Sequence, residues 1–316
     1  MTGIDHPVRA AYLAHAGQEA VLAEELGRLG VAVSGWHGLL ALSPDPPADA
    51  RWALDRWLDP EIAPIASIGE AASLLRGRQR NWSHLPLLHH RRSALIADRL
   101  PPVKAAPLHF PAAAPTAPLG AWTLLSPDRL LFSTRKSSPF PNGECRLVEN
   151  RTGPPSRAYL KLWETLALLA EWPRPGERCL ELGASPGGWT WALASLGASV
   201  TAVDRSPLAS AVAAMPGVEM RQGNAFTLRP EDVEPLDWLF SDVIAYPDRL
   251  LDMARTWIDS GRVRRLICTV KFQRPTAHEV SERFASIPGG TLRHGSHNGH
   301  ELMFVWCRPG DSVPHG

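Results

Sequence analysis

The sequence predicts an α/β fold: a doubly wound, mostly parallel seven-stranded sheet preceded by a small α+β, ferredoxin-like module. Three observations predict it. From Pro155 onward, apolar strand-like runs alternate with helical stretches, the pattern of an open sheet with helices on both faces. Residues 181–189 read Glu-Leu-Gly-Ala-Ser-Pro-Gly-Gly-Trp between an apolar run and a helical one. Such a strand–turn–helix unit lets backbone approach a ligand where only glycine leaves room. Asp204 then closes the next apolar run, the position from which a carboxylate grips ribose hydroxyls in nucleoside-binding α/β folds.

The elements follow in order. Residues 8–15 are mostly apolar, 19–29 carry a helical pattern, and 31–33 and 39–42 flank a turn at 35–38. A second helix over 48–57 and a strand over 62–68 complete a βαββαβ unit within residues 1–72. Residues 73–134 read as a basic, proline-rich linker or small binding segment. Arg76, Arg78 and Arg80 form one cluster and His89, His90, Arg91 and Arg92 another, before prolines at 101, 102, 107, 111, 115 and 118. A hairpin over 121–125 and 129–133 turns at Ser126-Pro127-Asp128. Arg135 and Lys136 open a polar approach to a second domain, 135–316. There the expected strands are 178–182, 199–203, 218–222, 237–241 and 266–270, with 291–294 and 301–307 as a closing antiparallel pair. Helices are expected over 157–170, 207–214, 247–259 and 276–285.

Composition bounds the function. The chain has 316 residues, 44% hydrophobic and 21% charged, which suggests two domains. No apolar run approaches the roughly 18 residues of a bilayer span. The start, with Asp5, His6 and Arg9, lacks the shape of a signal peptide, so a cytoplasmic location without membrane contact is expected. The cysteines, Cys145, Cys179, Cys268 and Cys307, include no CxxC pair and read as reduced, buried thiols. The net charge of +1 excludes a global basic field, so any nucleic-acid contact must concentrate its charge locally. Of 33 basic residues only four are lysine: Lys104, Lys136, Lys161 and Lys271. Arginine stays protonated, whereas a crowded or buried lysine can give up its proton. Each lysine is therefore a candidate for chemistry, with compositional drift as the plain alternative.

The glycine spacing is wrong for a dinucleotide, since Gly183-x-x-x-Gly187-Gly188 is not G-x-G-x-x-G, and no triphosphate loop is present. A cofactor with an adenosine and no pyrophosphate remains, and S-adenosylmethionine fits. Ligands in such sheets bind beyond the carboxyl ends of the strands. Asp242 follows one expected strand directly, Lys271 follows another, Glu301 opens the last, and Lys161 lies one turn past Arg157 in the preceding helix. Two lysines and two carboxylates are thus expected to converge beside the glycine loop.

These residues carry a resemblance. Ser156 to Leu162, Glu181 to Trp189, Ser241-Asp242, Val270-Lys271 and His300-Glu301 resemble the FtsJ/RrmJ family of RNA ribose 2′-O-methyltransferases over roughly residues 135–307. Within the family the approach through Ser137-Ser138-Pro139-Phe140 looks closest to the bacterial large-subunit ribosomal RNA methyltransferase M branch. The resemblance implies a Rossmann-like class I methyltransferase domain, with Lys161, Asp242, Lys271 and Glu301 as its Lys-Asp-Lys-Glu tetrad. It implies S-adenosylmethionine as cofactor and RNA as partner, 23S ribosomal RNA or a pre-ribosomal particle. The branch begins with a ferredoxin-like module and continues into a THUMP RNA-binding domain. This chain departs from that pattern, with only 73–134 in the THUMP position.

The expected cofactor contacts are Glu181, Gly183, Ala184, Ser185, Pro186, Gly187, Gly188 and Trp189, with Asp204 on the ribose, Asn224 at the adenine edge, and Asp242. The family more often has aspartate at the position of Asn224; an amide oxygen still accepts from an amino group, without charge. Arg76, Arg78, Arg80, Arg91, Arg92, Arg135, Lys136 and Arg157 are the candidate RNA contacts, an ordinary solvated face being the alternative for the first five. Trp82 and Phe140 read as packing, with base stacking the alternative. A ribose hydroxyl holds its proton far above neutral pH, so Lys271 is expected to stabilise or accept it, its neutral form favoured by nearby cations. Asp242 and Glu301 would hold the lysines and the hydroxyl in register. No metal site is expected: His294, His297 and His300 lack a compact ligand set around them and read as flanking a turn or touching RNA. Transfer RNA, another ribosomal site, a small-molecule substrate and a non-catalytic RNA-binding or assembly role are the alternatives left open.

Overall fold

The structure, a computed structural model, describes residues 7–310 except 104 and 274; Asp5, His6 and Lys104 lie outside the described residues. The chain divides into two compact units. One comprises residues 1–107 and 114–146, the other 108–113 and 147–316.

In the first unit, β1 (Ala10–Ala14), α1 (Glu19–Arg28), β2 (Gly35–His37), β3 (Leu40–Ser43) and β4 (Ala53–Leu58) come first. There follow β5 (Glu61–Pro64), α2 (Ile68–Arg78), β6 (Trp82–His84), α3 (His90–Ala97), β7 (Gly120–Ser126), β8 (Arg129–Ser133) and β9 (Arg135–Lys136). A five-stranded antiparallel sheet runs β2-β3-β1-β4-β9, and a four-stranded sheet runs β5-β8-β7-β6.

This corrects the N-terminal reading. The helix expected over 48–57 is largely strand β4, and the strand expected over 31–33 is displaced to β2. The βαββαβ order is therefore not the one observed. The stretch 73–134 is no linker: it supplies most of α2, β6, α3, β7 and β8, and Leu75, Trp82, Ile96, Trp122, Leu130 and Phe132 share one buried cluster. Trp82 and Phe140 are buried, as packing requires. Residues 135–146, read as the start of the second domain, cluster with the first unit.

The misread strand has a physical cause. Ala53, Asp55 and Trp57 alternate inward along β4, so a charged residue takes a core position and breaks the apolar alternation that identifies a strand. Asp55 is tolerable there because Lys136 on β9 reaches it at 2.6 Å, while Ser138 N–H and Ser137 Oγ donate to it at 3.0 and 3.3 Å. The Lys136 ammonium also donates to the carbonyls of Ser138 and Phe140 at 2.6 and 2.7 Å. Burial pushes Asp55 up and Lys136 down, both toward neutrality, and the mutual attraction opposes it.

The second unit contains α4 (Tyr159–Leu169), β10 (Arg178–Leu182), α5 (Gly188–Ser195), β11 (Ser199–Asp204), α6 (Ser210–Ala213) and β12 (Val218–Gln222). It continues with β13 (Leu236–Ser241), α7 (Pro247–Asp259), β14 (Val263–Lys271), α8 (His278–Ala285), β15 (Gly290–Arg293) and β16 (Glu301–Cys307). The seven-stranded sheet has the order β12-β11-β10-β13-β14-β16-β15. It is parallel from β12 to β14, and β16 runs antiparallel to β14 and β15. Every strand and helix expected beyond residue 155 is present, with small shifts at the ends. Strands such as β13 and β14 are buried along nearly their whole length, as expected where helices cover both faces. The chain steps from β10 outward to β12 and returns to β13, so the strand order reverses between β10 and β13. Cys179 and Cys268 lie in these strands, where burial pushes both thiols up and leaves them unreactive.

Replacing Lys136 with Met leaves Asp55 buried and unpaired. The first unit should lose about 3–5 kcal/mol of stability in urea titrations, and an Asp55→Leu/Lys136→Met double variant should recover most of it.

Candidate active site

The crevice at the strand reversal is bounded by the loop after β10 and the loop after β13. Gly183 donates its N–H to the Val203 carbonyl at 2.9 Å with φ +81°. A Cβ there would stand 2.7 Å from the Cβ of Val243, so glycine is required on two counts. Gly187 (φ +108°) then turns the chain into α5, and a Cβ would come 3.0 Å from Val212. The space this opens is a cavity of ≈ 330 Å³ walled by Glu181, residues 183–186, Gly188, Trp189, Asp204, Asp242 and Lys271. A second cavity of ≈ 240 Å³, walled by Asn224, Phe226 and Arg249, shares Gly183, Asp204, Val243 and Ile244 with it.

Of the expected cofactor residues, all but Gly187 line these walls, with particular engagements. Asp204 accepts the N–H groups of Ser185 and Ser206 at 3.0 and 2.9 Å, one on each carboxylate oxygen, which fixes its orientation and leaves lone pairs for further donors. Asn224 Oδ1 accepts the Phe226 N–H at 3.1 Å. Trp189 is chiefly a packing residue: it is buried, and its indole N–H donates to the Ala158 carbonyl at 2.9 Å. Glu181 is fully buried and accepts the Thr190 hydroxyl at 2.6 Å; burial pushes its carboxyl up to about 8. Sequence reasoning missed Phe226 and Arg249, whose guanidinium lies 4.0 Å over the Phe226 ring. No spacing connects them, and only folding brings α7 beside the β12 loop.

At the other end, Lys161, Asp242, Lys271 and Glu301 meet as expected. Lys161 Nζ lies 3.1 Å from Asp242 Oδ1 and 3.0 Å from Glu301 Oε1. Lys271 Nζ lies 3.0 Å from Asp242 Oδ1 and donates to the Asp242 carbonyl at 2.6 Å. Lys271 and Glu301 are paired across β14 and β16. Thr269, two residues before Lys271 on the same face of β14, donates its hydroxyl to Asp242 at 2.6 Å; the strand period of two was the signal for it. Burial alone would lower the Lys161 ammonium, but Asp242 and Glu301 together outweigh it and hold it above the usual lysine range. The Lys161 side chain is 12% exposed and that of Lys271 24%, and it is Lys271 that lines the larger cavity.

The candidate RNA contacts separate. Lys136 is buried against Asp55 and leaves that set. Arg78 pairs with Glu61 and Arg135 with Asp59, both at exposed positions. Arg76 donates to the Arg99 carbonyl and Ser73 hydroxyl, and Arg157 to Glu149. Arg80 and Arg91 are exposed, and Arg92 is partly buried. His294 and His300 flank a turn, His294 meeting the Gly299 carbonyl and His300 the Thr276 hydroxyl. Among the described residues no group of His, Cys, Asp and Glu is arranged to hold a metal, and no helix is long and apolar enough to cross a membrane.

Comparison with known proteins bears on this geometry. The FtsJ-like methyltransferase family matches residues 154–268. Residues 154–268 thus carry an FtsJ-like methyltransferase domain. Its curated relatives include proteins named ribosomal RNA large subunit methyltransferase M. The one from Halorhodospira halophila is 42% identical over 42% of this chain and 39% of its own length. That from Xanthomonas campestris is 32% identical over 64% of this chain and 56% of its own. The chain thus spans about half or less of the length of most such relatives. The Methanococcus jannaschii fibrillarin pre-rRNA processing protein aligns over 42% of this chain and 67% of its own at 20% identity. Its TM-score of 0.34 is too low to carry weight.

S-adenosylmethionine is the cofactor of such a domain, and the residues present fit it. The glycine turn leaves a cradle that a Cβ at 183 would fill, and an oriented carboxylate stands at the end of β11. The adjoining cavity offers an aromatic ring and an amide for a base.

Gly183→Ala should weaken S-adenosylmethionine binding by roughly tenfold or more in calorimetry, a loss near 1.4 kcal/mol. Glu181 should give stability a pH slope of known sign. Its folded value near 8 exceeds the ordinary 4.5, so the native state binds the extra proton. Stability should fall as pH rises from about 5 to 8, and Glu181→Gln should flatten that slope in denaturant titrations.

Proposed function

We propose that this chain transfers a methyl group from S-adenosylmethionine to a ribose 2′-hydroxyl of RNA, in large-subunit (23S) ribosomal RNA. One observation carries the reading. Two lysines share the Asp242 carboxylate at the cavity wall, and Glu301 closes the set on Lys161. An unactivated hydroxyl needs a group to hold or take its proton and a fixed approach to the methyl, and such positioning supplies much of the acceleration. The names of the relatives support ribosomal RNA as the substrate.

When bound, S-adenosylmethionine supplies an electrophilic methyl group. The chain's own residues do the rest. Lys161, flanked by two carboxylates, stays charged and anchors Asp242 and Glu301. Lys271, the more exposed lysine and the one facing the cavity, meets the 2′-hydroxyl and stabilises or takes its proton. Asp242 fixes the Lys271 amine through both its carboxylate and its backbone carbonyl, and Thr269 fixes Asp242. Ile244 and Tyr246, 87% and 67% exposed just beyond Asp242, give the rim an apolar and aromatic surface against which a nucleotide can lie. An RNA substrate of this kind would place the reaction in the cytoplasm.

Labelled methyl transfer to total bacterial RNA, followed by alkaline hydrolysis, tests the reading. A 2′-O-methyl group removes the internal nucleophile, so label should appear in alkali-resistant dinucleotides. Label confined to mononucleotides would place the chemistry on a base. Lys271→Ala should abolish transfer while cofactor affinity stays within a few-fold; a fully active variant would remove Lys271 from its role.

A further inference from the structure

Three members of the charged set sit at strand ends of one sheet, at the end of β13, the end of β14 and the start of β16. Lys161 alone comes from a helix, α4, which no hydrogen-bond ladder ties to that sheet. A tie exists one turn further along the same helix. Glu164, on α4, is 3% exposed, and its carboxylate reaches the turn that joins β15 to β16. Its Oε1 accepts the N–H and hydroxyl of Ser296 at 2.8 and 3.0 Å, and its Oε2 accepts the N–H of His297 at 3.1 Å. Gly295 is part of the fit, since a Cβ there would lie 3.1 Å from Glu164 Oε2 and 2.7 Å from Asn298 Oδ1. That turn leads directly to Glu301, the partner of Lys161 at 3.0 Å.

We infer that Glu164 is a positioning residue for the reaction, clamping the helix that carries Lys161 to the turn that delivers Glu301. Residues i and i+3 of a helix share one face, so a single helical turn presents the ammonium to the strand ends and the carboxylate to the turn. Hydrogen bonds that a carboxylate accepts from backbone N–H groups are about twice as strong as neutral ones. The clamp therefore ties the helix that carries Lys161 to the turn from which β16 and Glu301 start. Removing its charge frees this part of α4 to shift, while Gly183 and Asp204 keep their own hydrogen bonds in the loops after β10 and β11.

The inference rests on the methyltransferase reading for its kinetic arm only. In the full chain, Glu164→Gln should lower kcat for RNA methylation roughly 10- to 100-fold, the scale of a misplacement near 1 Å. The KM for RNA and the Kd for S-adenosylmethionine should stay within about twofold by the same reasoning. Ser296→Ala, which removes one of the accepted bonds, should give a smaller loss in the same direction. The second arm needs no activity. With only four lysines in the chain, [ε-13C]lysine labelling yields few signals, assignable by Lys→Arg substitution. The Lys161 signal faces Asp242, Glu301 and Lys271 and should titrate above an ordinary lysine, moving back toward it in Glu164→Gln. An unmoved Lys161 signal in the folded variant overturns the inference, as does an unchanged kcat or a cofactor affinity that falls as far as kcat. Absence of methyl transfer by the unaltered protein, with the Lys161 signal moving as expected, would instead sink the functional reading and leave the clamp standing.

Discussion

The Asp242 carboxylate serves two ammonium groups and a hydroxyl at once. Desolvating any one of these charges alone would cost several kcal/mol, so the lysines, Asp242 and Glu301 are tolerable at this depth only together. Two positive and two negative charges balance, and the extra donors and acceptors, Thr269 and the Asp242 carbonyl, take up the remaining valences. The arrangement is a constraint on everything around it. The strand ends must stop level with one another, and α4 must be held at one height.

The sheet meets most of that constraint by topology. Parallel strands end on one edge, and the reversal of strand order beside β10 opens a crevice there. The antiparallel final strand begins where the others finish, which is why Glu301 is the register partner of Lys271. The glycine turn needs the same crevice, because Gly183 lies against Val243, the residue after Asp242. Cofactor cradle and charged set are thus two sides of one loop pair, and a displacement of the β13 loop would disturb both.

The first unit uses the same chemistry for a different end. Lys136 and Asp55 form a buried pair that fastens a two-residue strand to the edge of the five-stranded sheet. Each described lysine therefore meets a carboxylate: Lys136 meets Asp55, Lys161 meets Asp242 and Glu301, and Lys271 meets Asp242. In a chain whose other basic residues are arginine, the compact ammonium appears where several acceptors converge on a point, a geometry that a planar guanidinium does not match. Scarcity of lysine was a signal in the composition; that Lys136 spends its charge inside a core was not.

The sequence by itself determined the second unit. Its central strands are buried on both faces and read as apolar runs, its glycine loop admits one kind of turn, and Asp242, Lys271 and Glu301 fall at strand ends that local pattern can place. Tertiary structure decided the rest. β4 reads as helix because Asp55 occupies a core position, and only a lysine from far along the chain makes that position inward. The segment 73–134 reads as linker because proline and arginine clusters mask the short apolar stretches that pack together in its core. Phe226, Arg249 and Glu164 join their sites through neighbours distant in the chain, and no local period encodes such a meeting. Local pattern fixes which face of an element is apolar; the partner of a buried charge is fixed only when the chain closes on itself.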